Sequence, residues 1–371
     1  PAGRLYPSPR SAPCEWEKND EPPALAPPPQ PHTTPSAPVF RGFSFGGTVR
    51  KKLFDPFGYN RQLRLAMAVH GLLALAAYFG RPKPRNWTEA IELVKYTASG
   101  LVRRLLGSSA KAAKADKYGV DNPVLFMAPA DAAQIVNIST CLMATIGCGG
   151  GCLVTGTRLS MKQNEASRLA KTLYLWLDPE AFIEQLLAEV NAAHRLALAK
   201  DHGLSVRFNG TTDILWGRLL QSAGRTLPSG VRFVDYTKMS LTARMDCLEA
   251  GFHLTYSMNE GAAAPVHSRH YAAAGWNTAL VVAGKTQAIT AARAVQRDLL
   301  DRYSIGGETF YGRHVVDGDA HDLRYLDPHD VWVVLHAKSK ALKDKTGFVL
   351  RFDNNLDLDN HNHQRLLAAT T

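Results

Sequence analysis

Cysteine is scarce in this sequence. There are five in 371 residues, and three of them fall between Cys141 and Cys152. So few, so placed, exclude the disulfide framework of a small secreted domain. Long apolar runs are scarce too. The best candidate, Leu65–Phe79, follows Arg64, contains His70 and is too short for a membrane span, so it reads as a buried helix. No basic-then-apolar signal pattern is present, nor any short internal repeat. The glycines at 149–151 lack the Gly-Lys-Ser/Thr ending of a phosphate loop. Charge is modest at 20% against 45% hydrophobic residues, which fits a soluble globular chain able to bury a core without staples.

What charge there is, is uneven. Residues 1–117 hold 18 basic and 8 acidic side chains, while residues 118–371 hold 25 of each. The net +10 therefore lies in the first third, all of it in residues 50–117. That asymmetry points to a DNA or RNA contact through 50–117, with a solvated surface as the bland alternative.

Four regions follow from texture. Residues 1–45 form a Pro-rich arm expected to be disordered, since residues 1–40 hold 12 of the 21 prolines. Cys14 lies in it and is expected to be idle. Residues 46–124 read as a small basic helical module. Its second helix is expected over Thr88–Leu106, and Lys111, Lys114 and Lys117 continue a basic face. Residues 125–352 read as an α/β core, and residues 353–371, with His361 and His363, as a polar solvated tail. Within the core, Ala133–Ile138 is a candidate first strand. Lys162–Leu177 and Pro179–Ala199 are helical, with Asp178 the N-cap before a proline at the first helical position. Strands are expected at Leu204–Phe208, Val231–Val234, His253–Tyr256, Thr278–Val282, His314–Val316 and Val331–His336. The connections are too long for hairpins. The fold class is thus α/β, a partial or full barrel of mostly parallel strands or an open sheet.

In parallel α/β folds, sites lie at the C-terminal strand ends, and polar residues collect there in this sequence. Asn209, Gly210, Thr212 and Asp213 follow one strand and Lys238 another. Glu260 follows a third, and Asp317, Asp319, His321 and Asp322 a fourth. Between the candidate first strand and the first long helix lies the sharpest feature, Cys141, Cys148 and Cys152, spaced C-x6-C-x3-C in a Gly-rich loop. Soft thiolates in a compact loop suit an iron–sulfur cluster or zinc with one position left open; buried idle thiols are the alternative. Cys247 is a possible fourth ligand.

These residues resemble the phage gene product 88-like family over roughly residues 133–349. The resemblance rests on the cysteine loop and on Lys171-Thr172-Leu173-Tyr174. It also rests on Val206–Asp213, Val234–Lys238, Leu254–Ser257, Val316–Asp319 and Lys345–Val349. The order of parts also resembles radical S-adenosylmethionine (SAM) enzymes, although the usual spacing there is C-x3-C-x2-C. That resemblance implies a 4Fe–4S cluster on Cys141, Cys148 and Cys152. It implies SAM held by the Asn209, Gly210, Thr212 and Asp213 segment, with Asp213, Lys238, Glu260 and Asp319 facing SAM or substrate. The implied reaction begins with reductive SAM cleavage to a 5′-deoxyadenosyl radical, on a nucleic acid or nucleotide, in the cytoplasm of a bacterial host. Two alternatives stand beside it. One is a nucleic-acid-binding protein with a structural zinc or iron–sulfur site. The other is a divalent-metal hydrolase or nuclease using Asp317, Asp319, His321 and Asp322.

Overall fold

The computed structural model describes residues 51–95, 102–156, 158–353 and 355–370. The Pro-rich arm and Cys14 lie outside them. The chain begins with three short helices, α1 (Arg61–Met67), α2 (Val69–Tyr78) and α3 (Trp87–Lys95). The second helix, expected to run to Leu106, is described only as far as Lys95. Leu106 instead pairs antiparallel with Leu125 in a two-residue strand. Strand β1 (Val120–Asp121) follows, then α4 (Ile146–Gly150), α5 (Lys162–Leu177) and α6 (Pro179–Leu198). Asp178 occupies the N-cap of α6, but Pro179 sets the start alone, because the Asp178 side chain makes no capping hydrogen bond.

From there strands and helices alternate. They are β2 (Gly203–Val206), α7 (Trp216–Ser222), β3 (Val231–Thr237), α8 (Met245–Glu249), β4 (Phe252–Ser257), α9 (Ala264–Ala273), β5 (Asn277–Gly284) and α10 (Ile289–Tyr303). The series ends with β6 (Val315–Asp317), β7 (Trp332–His336), β8 (Val349–Phe352) and α11 (Asn360–Ala368). The strands form one eight-stranded sheet in the order β6-β7-β5-β4-β3-β2-β1, and β8 pairs with the far end of β5. Every pairing within it is parallel. All six expected strands from Leu204 onward are present; β1 and β8 were not anticipated, being short.

Two expectations need correction. Ala133–Ile138 is not a strand of this sheet. Only Ile138–Ser139 is extended, and it pairs with Lys52–Leu53 in a separate ribbon. The sheet strand that precedes the cysteine loop is β1, prolonged by a parallel bridge between Val124 and Arg207. The full barrel is not formed by backbone pairing, because β1 and β6 do not pair among the described residues. The sheet is nevertheless bowed. Laid flat, β2 and β6 would stand about 24 Å apart, five steps of about 4.8 Å. Yet Arg207, just past β2, lies 3.6 Å from Asp322 on the connection after β6, and the Tyr236 hydroxyl of β3 reaches the same carboxylate. That connection lies in the hollow of the sheet, where His321 also meets the Tyr118 ring.

Helices cover the other face. Leu204, Val206, Phe233, Phe252, Leu254, Leu280 and Val282 alternate along their strands into one large core. That core also takes in Phe54, Leu72, Leu75, Ala90 and Leu93 from the N-terminal segment. The join is α5, buried on almost every side from Ala166 onward because α2 and α3 pack on it as well as α6. The tail expected at the C-terminus ends instead in α11, capped by Asp359 and packed on α9.

Trp176 is the pin of the N-terminal join. It is fully buried, its indole donates to the Arg64 carbonyl at 3.0 Å, and it packs on Phe54 and Tyr59. Trp176→Ala is expected to cost about 3–5 kcal/mol. Denaturant titration checks the cost, and hydrogen exchange should show residues 52–78 opening before the sheet.

Candidate functional site

The cysteine loop sits on the C-terminal face of the sheet. Its first half is pinned by backbone. Thr140 is buried, its hydroxyl donates to the Ala128 carbonyl at 2.6 Å, and its own carbonyl accepts the Asp213 N–H at 2.8 Å. Cys141 therefore lies against the turn that follows β2, with its Sγ 3.7 Å from the Thr211 carbonyl. The second half is the short helix α4, capped by Thr145. Glu260, after β4, accepts the Thr145 hydroxyl at 2.7 Å and the Gly147 N–H at 2.6 Å. A carboxylate here satisfies donors that a helix N-terminus leaves unpaired. Gly147 is obligatory. A Cβ at this position would lie 2.0 Å from Thr346 Oγ1, 2.6 Å from Phe348 Cβ and 2.8 Å from Glu260 Oε1. Gly149 and Gly150 face open space.

None of the three loop cysteines is in a disulfide, and none is fully buried. Burial pushes the Cys141 thiol up to about 12 and raises Cys152, with Cys148 adding to both. Lys238, after β3, supplies the facing cation. Burial pulls it down, but Cys148, Asp213 and Cys141 outweigh burial and leave it raised. Its Nζ donates to Ser257 Oγ at 3.1 Å, and its backbone N–H donates to Asp213 Oδ2 at 2.8 Å.

Beneath the loop lies a buried polar knot. Arg244, wholly buried, contacts Asp235 and, at 3.4 Å, Asp213, and donates to the Ile214 carbonyl. Burial lifts Asp235 to about 6, against the downward pull of Arg244. Asn209 donates to Asp235 and to the Ile214 carbonyl and accepts from Thr212, Ile214 and Trp216, so its side chain is fully used. A Cβ on Gly210 would lie 2.6 Å from Val124 and 2.7 Å from the Leu125 carbonyl, because this turn crosses the extension of β1.

The structure thus brings Cys141, Cys148, Cys152, Asp213, Lys238 and Glu260 together, with Asn209, Gly210 and Thr212 as the floor. Asp319 belongs elsewhere. It pairs with Lys338 at 2.6 Å and with the His336 ring at 2.7 Å, and accepts from Gln296. Asp322 pairs with Lys111 at 2.6 Å and with Arg207. Side-chain cations already occupy both carboxylates, so the divalent-metal reading gains no support here. Cys247 is not brought to the loop. It is buried on α8 with its sulfur 3.3 Å from the Gly217 nitrogen. The Lys111, Lys114, Lys117 series is not one outward face, since Lys111 turns in to Asp322 and Lys114 donates to the Asp319 carbonyl.

Sequence reasoning missed Arg244; Asp235, Ser257 and Thr346 lay in segments it marked but were assigned no role. Nothing local marks Arg244; only the fold shows which carboxylates it joins. Among the described residues, one cluster has ligand atoms within zinc-like reach of one another: Asp116, Asp121 and His202. There Lys200 and His202 already pair with Asp121.

A bowed, mostly parallel α/β sheet with three cysteines clustered at its strand ends defines the class of protein. The chain belongs to the gene product 88 family, whose model matches residues 101–351, about two thirds of the sequence. No curated protein and no solved structure matches it.

Arg244→Leu would leave Asp213 and Asp235 buried without their cation, at an expected cost of about 3–5 kcal/mol. Chemical denaturation checks this, and adding Asp235→Asn should recover part of the loss. Acid should act at Asp322. Burial raises its pKa, but Lys111 and Arg207 outweigh burial and hold it at about 2, below its ordinary value of 3.8. A depressed carboxylate stabilises the fold above pH 4 and loses that contribution as pH falls toward 2. About 2 kcal/mol is expected to vanish over that window. Stability measured from pH 5 to 2 should fall steeply in the natural chain and less in Asp322→Asn.

Proposed function

We propose that this chain is a radical-SAM-like iron–sulfur enzyme of phage type that acts on a nucleic acid or nucleotide. The observation that carries the reading is one loop. Three cysteines, spaced along it, sit at the C-terminal ends of parallel strands beside Lys238 and Asp213. The bowed sheet reads as a partial barrel, whose rim is where such folds place their chemistry.

The donor set fits a cluster. The thiols are soft and form no disulfide, and Gly149 and Gly150 leave open space. Soft thiolates serve an iron–sulfur cluster or zinc alike, and the place of the loop at parallel strand ends favours the cluster. Cys141, Cys148 and Cys152 would hold it, and when bound it would supply one electron to SAM.

The protein's own residues do the rest. Lys238 sets a positive charge against the thiolate set and offsets part of its negative charge. Asp213 fixes the Lys238 backbone, and Glu260 seats α4. The side chains of Asn209 and Asp213 are committed to the knot, so the backbone of residues 210–212 is the part of that turn left to meet SAM. Lys83, Arg103 and Arg104 are among the exposed cations that could meet a nucleic-acid backbone. An oxygen-sensitive cluster suits the reducing cytoplasm.

Anaerobic reconstitution with iron and sulfide tests this. The expected product is a brown protein with about four iron atoms per chain that releases 5′-deoxyadenosine from SAM and reductant, with Cys148→Ser losing both. Protein that stays iron-free under those conditions would sink the reading.

A further inference from the structure

We infer that Arg365 is a positioning residue for the cysteine loop, acting through the Asn259 and Gly347 carbonyls. Arg365 lies on α11, far along the chain from the cysteines, and is 8% exposed. No carboxylate pairs with it among the described residues. Its guanidinium donates instead to the carbonyls of Asn259 and Gly347 and, at 2.8 Å, to Asn362 Oδ1. The carboxylates that favour its charge, Glu260 first, act on it without direct contact, so a buried cation held by carbonyls calls for a reason.

The reason lies in what the two carbonyls belong to. Asn259 precedes Glu260, whose carboxylate takes the Thr145 hydroxyl and the Gly147 N–H. Gly347 lies between Thr346 and Phe348, the two side chains that leave no room for a Cβ at Gly147. These two loops are the walls of the seat in which α4 rests, and α4 carries Cys148. One planar guanidinium fastens both walls at a fixed separation, which a lysine ammonium cannot reproduce. Gly347 adds precision, because its φ of +91° is strained for any other residue and sets the direction of its carbonyl. Released from Arg365, the walls can part, and α4 loses its register over Lys238.

The inference rests on the cysteine loop being the working site, but its physical core can be read in metal-free protein. Reduced chain is labelled with a maleimide under native conditions, and the rates at Cys148 and Cys152 are followed by mass spectrometry. Arg365→Gln is expected to label about tenfold faster, as local opening becomes easier. Arg365→Lys keeps the charge and should also label faster than the natural chain. Val190→Ala, in the buried stripe of α6, is the control for general destabilisation and should label at the natural rate. After reconstitution, the electron paramagnetic resonance signal of the Arg365 variants should differ from that of the natural protein. Natural labelling rates in both Arg365 variants, or equal acceleration in Val190→Ala, would overturn the assignment. Faster labelling in a protein that never binds iron would uphold the positioning role and remove the iron–sulfur reading alone.

Discussion

The contact of Arg244 with Asp213 and Asp235 is the constraint on which the strand-end face depends. It buries one cation between two carboxylates, an arrangement that depends on hydrogen bonds to hold its charges. Asn209 and the Tyr236 N–H complete Asp235, and the Lys238 N–H completes Asp213. The Asp213 N–H in turn holds the Thr140 carbonyl, one residue before Cys141. A buried electrostatic knot under β2 and β3 therefore fixes where the cysteine loop begins and where Lys238 stands. The loop is placed by a buried ion cluster, not by its own short sequence.

The other end of the loop is placed by exclusion of volume. Gly147 fits only because it has no side chain, and Gly210 crosses the extension of β1 for the same reason. The loop is held at Thr140 and at Gly147, while Gly149 and Gly150, just past Gly147, stay open. Met143, Ile146 and Leu153 are exposed along the same stretch, Ile146 at 85%.

The charge asymmetry has a more divided meaning than composition suggests. Part of the basic segment is structural: Lys111 neutralises Asp322 in the hollow of the sheet, and Lys114 ties down the Asp319 backbone. Lys83, Arg85, Arg103 and Arg104 remain at the surface. The helices of that segment share the main hydrophobic core through α5. The excess of positive charge is therefore divided between holding the bowed sheet together and facing outward.

Much of the architecture was legible in the sequence. Lys162–Leu177 is a helix over the bounds expected for it, and every strand from Leu204 to His336 was marked by β-branched and aromatic runs between polar turns. Two-residue strands such as β1 carry no periodicity, so they were invisible. Ala133–Ile138 misled because apolar residues there are buried by the α2 and α5 helices without pairing in the sheet. The sequence by itself determined the parallel alternation, the cysteine spacing and the collection of polar residues at strand ends, because those follow from local pattern. Only the tertiary structure decided which of those polar residues meet. Asp319 and Asp322 went to lysines, and Cys247 went to α7. Glu260, Arg244 and Arg365 became the supports of the loop. Pairing between residues a hundred positions apart is set by strand order and packing, and no local stretch of sequence encodes that.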